Sequence, residues 1–127
     1  MSITRFIKGI LRGETITVYG DGNQSRDFTY VDDIAAGTIL AAKDVGYDVF
    51  NLSGGHEPVT INRTIAMCEE IVGKKAQVEH TDPFECDIVE TRASTERART
   101  ILGWNPKTDF ESGLHRCVEW HRSHPGF

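Results

Sequence analysis

Ile16-Thr17-Val18-Tyr19-Gly20-Asp21-Gly22-Asn23-Gln24-Ser25-Arg26-Asp27-Phe28-Thr29-Tyr30-Val31-Asp32-Asp33 is the stretch on which the fold turns. Thr15 to Tyr19 is β-branched and aromatic, which predicts a strand. Gly20-Asp21-Gly22-Asn23 is dense turn chemistry and predicts a hairpin-like turn. Arg26 to Val31 reads as a second short extended segment. Asp32 or Asp33 then caps a helix whose core stripe is Ile34, Ala35, Thr38, Ile39 and Ala42, where carboxylates gain from free N–H groups and the helix dipole.

Helical and extended patterns continue on both sides of this stretch. Upstream, Ile3, Phe6, Ile7, Ile10 and Leu11 form a helical stripe over residues 2–12, with Gly13 where a C-terminal glycine belongs. Downstream, Asp48-Val49-Phe50-Asn51-Leu52 predicts a compact strand running into the turn Ser53-Gly54-Gly55. Thr60 caps a helix carrying Ile61, Ile65, Cys68, Ile71 and Val72, closed by Gly73. Ala76 to His80 reads as a strand stopped by Asp82-Pro83, and residues 83–93 are irregular. A short helix with Ala98, Ile101 and Leu102 ends at Gly103, Trp104 is a core plug, and a last helix spans Glu111 to His121. The order α-β-β-α-β-α-β-α-α predicts an α/β or α+β chain of one domain, residues 1–127, in which helices cover a small sheet.

Composition excludes several function classes. In 127 residues, 39% are hydrophobic and 26% charged, which fits a folded globular chain, and the formal net charge of −5 without a basic run argues against a nucleic-acid partner. No apolar stretch is long enough to span a bilayer, and Arg5 and Lys8 fall where a secretion signal needs its apolar region. Cys68, Cys86 and Cys117 are odd in number and widely spaced, so a reduced, cytoplasmic protein is the simple expectation. His115, His121 and His124 match no zinc spacing and read as solvated or capping residues.

Individual motifs stop short of a catalytic constellation. Gly20-x-Gly22 begins a dinucleotide fingerprint, but position 25 is Ser and an extended segment follows in place of a helix. Tyr19 and Tyr30 lack a lysine four residues on, since those places hold Asn23 and Ile34. Arg26 stands out: at the lip of a strand and beside Tyr19, Phe28 and Tyr30, a guanidinium can hold a phosphate bidentately, or else pair with Asp27 or Asp21.

Taken in order, residues 16–33, Val49-Phe50-Asn51-Leu52-Ser53-Gly54-Gly55, Ala98-Arg99-Thr100-Ile101-Leu102-Gly103-Trp104-Asn105-Pro106, Gly113-Leu114 and Val118-Glu119-Trp120 make the chain similar to the C-terminal half of NAD-dependent nucleotide-sugar epimerases and dehydratases. These are extended short-chain dehydrogenase/reductase proteins of the UDP-glucose 4-epimerase type. The resemblance implies the substrate-binding part of that fold without the N-terminal Rossmann half, its NAD loop and its Tyr-x-x-x-Lys pair, hence a fragment or truncated gene product with no turnover and no NAD binding of its own. It also implies that Thr17 and Tyr19 meet the base, Arg26 grips the diphosphate and Asp87 lies near the ribose of a UDP-sugar-like ligand, bound weakly. The family's glycine before that Asp is Cys86 here, and its second phosphate-binding arginine is Phe84. A competing expectation is a non-catalytic nucleotide-binding or protein-interaction module derived from the same fold. A strand at Val49 to Leu52 left without its neighbours predicts a homo-oligomer through that edge.

Overall fold

The computed structural model describes residues 2–44 and 46–126. Four α-helices and four short strands follow one another as α1 (Ser2–Arg12), β1 (Thr15–Tyr19), β2 (Ser25–Arg26), α2 (Val31–Leu40), β3 (Val59–Thr60), α3 (Ile61–Val72), β4 (Gln77–Thr81) and α4 (Phe110–Ser123), with a π-helical turn at Ala98–Leu102 before α4. Local chemistry explains the helix limits. The Thr60 hydroxyl accepts from the Arg63 N–H at the start of α3, and Gly73, at φ 78°, closes its end in the left-handed region. Asp109 caps α4 through the Ser112 N–H, an Asp-x-x-Ser signal ahead of an apolar run that the sequence reading passed over.

The strands form two small two-stranded sheets. β1 runs parallel to β4, with Thr17 opposite Glu79 and Tyr19 opposite Thr81. β2 runs antiparallel to β3, with Ser25 opposite Thr60 and Arg26 opposite Val59. The hairpin-like turn expected at Gly20 to Asn23 is therefore corrected. The chain does turn there, but β1 and β2 do not pair with each other, because each finds its partner later in the sequence. The extended segment expected over residues 26–31 shrinks to a strand of two residues, Ser25–Arg26.

The main core lies between α1, β1, α3 and α4. Phe6, Ile7 and Ile10 meet Ile16 and Val18, Ile65 and Cys68, and Leu114 and Val118. Each such side chain contributes about 1.5–3 kcal/mol on burial. A second cluster gathers Ala98, Leu102 and Trp104, with Leu40, Phe50 and Leu52 packed against it, so Trp104 is the core plug the sequence predicts.

Two further expectations are corrected. Val49 to Leu52 is not a strand: no strand lies beside it among the described residues. Side chains hold it instead, with Phe50 and Leu52 on the Trp104 cluster and the Asp48 carboxylate accepting from the Val49 N–H and from Arg97. The third strand in the chain is Val59–Thr60. At α2 the N-cap is Tyr30, with no side-chain cap. Asp33 is buried and accepts the backbone N–H groups of Lys107 and Thr108, both at 3.0 Å. No helix among the described residues is long and apolar enough to cross a membrane.

Candidate functional site

β1 ends in a turn that carries two glycines in the left-handed region, Gly20 and Gly22. At Gly22, whose φ of 78° strains any side chain, a Cβ would also fall 2.1 Å from the Asn62 side-chain oxygen and force that side chain to move. Asn62 reaches across from α3 to donate to the Asp21 carbonyl at 2.9 Å. The Asp21 carboxylate accepts the backbone and side-chain N–H groups of Asn23, which holds its pKa below the usual value. This fixed turn delivers Gln24, Ser25 and Arg26 to the open side of β1.

Residues 84–91 fold over that side. The Ser25 N–H donates to the Val89 carbonyl at 2.8 Å, and the Thr91 N–H donates back to the Ser25 carbonyl at 3.2 Å. The segment is tied down further by Arg26, whose guanidinium donates to the Ser25 and Ile88 carbonyls at 2.8 and 2.7 Å and pairs with Asp87 at 2.5 Å. Of the pairings the sequence left open for Arg26, neither Asp27 nor Asp21 is used. Gln24 donates to the Tyr19 carbonyl at 2.8 Å and to Asp87 at 3.5 Å. The Tyr19 ring rests against the ring of Phe84, centroids 4.5 Å apart.

The four residues expected at a ligand site, Thr17, Tyr19, Arg26 and Asp87, line one pocket of about 170 Å³ together with Ser2, Arg5 and Gln24. A larger, more open depression of about 920 Å³ adjoins it, shares Tyr19, Gln24 and Asp87, and is bounded by His80, Thr81 and Phe84. The smaller pocket offers an aromatic face, two guanidinium groups and one carboxylate, while Asp21 and Asp82 add carboxylates to the adjoining depression. That chemistry suits an anionic ligand with a flat ring. Arg5, in the first turn of α1, was missed in the sequence because a lone cation on a helix looks like any solvated charge.

Several of the remaining reactive groups serve the structure, while the Cys86 thiol is exposed. Asp27 accepts from the Ser53 hydroxyl and, at 3.1 Å, from the Gly54 N–H, so the turn after residue 52 is locked to the end of β2. Burial pushes the Cys68 thiol up to about 12 and raises Cys117 as well, which leaves both poor nucleophiles. No group of three or more His, Cys, Asp or Glu side chains among the described residues is placed to hold a metal. His124 sits at the α4 terminus against the Trp120 carbonyl, as a capping residue should. His121, expected to be solvated or capping, is instead 7% exposed in the interior.

Comparison with known proteins agrees with the fold. Residues 1–53 match the model of the NAD dependent epimerase/dehydratase family. The chain is 45% identical over 122 residues to a UDP-glucuronate 4-epimerase of Thermodesulfobacterium geofontis, covering 96% of this chain and 38% of that protein. It superimposes on MoeE5 in complex with UDP-glucuronic acid and NAD with a TM-score of 0.92 and 34% identity, over 97% of this chain and 42% of MoeE5. The chain is thus similar to proteins of the NAD dependent epimerase/dehydratase family. A UDP-glucuronic acid 4-epimerase from Bacillus cereus, solved with UDP-glucuronic acid and NAD, gives a TM-score of 0.89 at 32% identity, over 97% of this chain and 40% of the other. The chain thus spans about two-fifths of the length of these proteins, and its helices and small sheets are those of an extended short-chain dehydrogenase/reductase fold.

Proposed function

We propose that this chain supplies the nucleotide-sugar-binding portion of an NAD-dependent sugar epimerase or dehydratase and has no turnover alone. One observation carries the reading: Thr17, Tyr19, Arg26 and Asp87, singled out from sequence, line the same pocket. The Tyr19 ring meets the base of a UDP-sugar-like ligand, Asp87 accepts from a ribose hydroxyl, and Arg26 binds the diphosphate. The open depression beyond Tyr19 gives the rest of the ligand room. NAD is present with MoeE5 and with the Bacillus cereus epimerase. In this chain the Gly20 to Gly22 turn leads into a strand, not into a helix N-terminus, so that turn is no dinucleotide cradle on this reading.

Binding is weak on this reading, because Arg26 must share its guanidinium between Asp87 and the phosphates, and Phe84 adds no charge. The same ion pair favours, as a second reading, a non-catalytic protein-interaction module that has kept the fold and lost the chemistry. Calorimetric titration with UDP-glucuronic acid and with NAD separates the two. The first reading expects a millimolar heat signal for the UDP-sugar and none for NAD; micromolar NAD binding, or silence with both, contradicts it.

A further inference from the structure

The structure assigns Arg5 a role as a phosphate-binding cation of this pocket, an inference that rests on the pocket taking a nucleoside diphosphate. Arg26 reaches the pocket with its guanidinium already engaged by the Ser25 and Ile88 carbonyls and by Asp87. Arg5 also lines the pocket, yet its side chain makes no hydrogen bond or ion pair among the described residues. A second cation beside a half-neutralised one leaves the pocket net positive in a chain of formal net charge −5.

The location on α1 adds to this. Ser2 and Arg5 belong to the first turn of an 11-residue helix whose first turn holds no acidic residue. The positive end of the helix dipole and the guanidinium therefore act on the same anion. Arg5 and Arg26 approach from different elements, α1 and β2, so a diphosphate can bridge them while the Arg26 pair with Asp87 stays closed. The ligand class follows: a diphosphate, or a nucleotide carrying one, gains from Arg5, whereas the nucleoside alone does not.

Chemical-shift titration of the chain with UDP and with uridine tests this. Arg5→Ala is expected to weaken UDP about tenfold, the size of one charge-assisted contact, and to leave uridine unchanged. Arg5→Lys is expected to fall between, since an ammonium keeps the charge but not the planar fork. Equal UDP affinity in wild type and Arg5→Ala overturns the assignment while leaving the site reading intact. Equal losses for UDP and uridine overturn it too, by making Arg5 structural. A wild-type chain that binds no UDP removes the site reading, and the role of Arg5 with it.

Discussion

The indole N–H of Trp104 donates to the main-chain carbonyl of Asp33 at 2.8 Å, joining two residues 71 positions apart in sequence. The Asp33 carboxylate completes the join by accepting the Lys107 and Thr108 N–H groups. One residue of α2 thus satisfies three donors of the segment that leads into α4. Asp33→Ala is expected to cost about 1–3 kcal/mol, because it removes the acceptor of two part-buried backbone donors. Urea denaturation followed by circular dichroism measures this, and a loss below about 0.5 kcal/mol, the range of an ordinary surface substitution, contradicts the account.

Gly54 lies where backbone meets backbone. A Cβ there would stand 2.1 Å from the Phe28 carbonyl oxygen and 2.9 Å from the Asp27 carboxylate. Gly54→Ala should lower stability by roughly 1–3 kcal/mol or more, since the clash is with main chain that cannot rotate away. Thermal unfolding of the variant should show a clearly lower Tm, and an unchanged Tm would mean that residues 27–28 and 53–54 are not locked together.

His121 carries a prediction about pH. Its buried Nδ1 has no hydrogen-bond partner among the described residues. Burial, together with Lys8, Arg12 and His124, holds its pKa below 6.5, while Arg122 lines the same cleft. The unfolded chain therefore binds this proton more readily than the folded one, so stability is complete above about pH 6.5 and declines as the pH falls below it. His121→Phe, of similar shape and uncharged, should flatten that decline between pH 7 and 5 in urea midpoints. An identical pH profile in wild type and variant would contradict the assignment.

Self-association is expected through residues 47–52, where Tyr47 is 96% exposed and Val49 is 66% exposed. Phe50 and Leu52 are partly covered by the Trp104 cluster, so the contact is smaller than a bare strand would make. Size-exclusion chromatography with light scattering should give a mass above 14.2 kDa that grows with concentration, and Tyr47→Ser with Val49→Ser should return it to the monomer. A clean monomer at high concentration would mean that the cluster covers this segment by itself.

What could be read in the sequence was what neighbouring residues decide. The stripe of α1, the Thr60 cap and the Gly73 terminus of α3, and the β-branched run of β1 each carry their own signal. Pairing could not be read. β1 finds β4 about 60 residues later, and no local feature announces it. Val49 to Leu52 has the composition of a strand but pairs with no strand among the described residues, so its side chains decide its place. Asp33 looked like a cap because its true partners lie more than 70 residues on. At the site, the resemblance brought out Thr17, Tyr19, Arg26 and Asp87, whereas the Arg26 ion pair, the Phe84 contact and Arg5 emerged only in three dimensions.

The measurement closest to the central claim is a titration of isotope-labelled chain with UDP, following the backbone signals of Thr17, Tyr19 and Asp87 and the side-chain signal of Arg26. All four should move together along one saturating curve with a Kd in the millimolar range, weak because few contacts offset the cost of ordering the ligand. Arg26→Ala should abolish the movement, and Phe84→Arg should tighten the curve. Signals at these four residues that stay still up to about 10 mM UDP, a concentration at which even a binding free energy of only about 3–4 kcal/mol gives measurable occupancy, would contradict the claim.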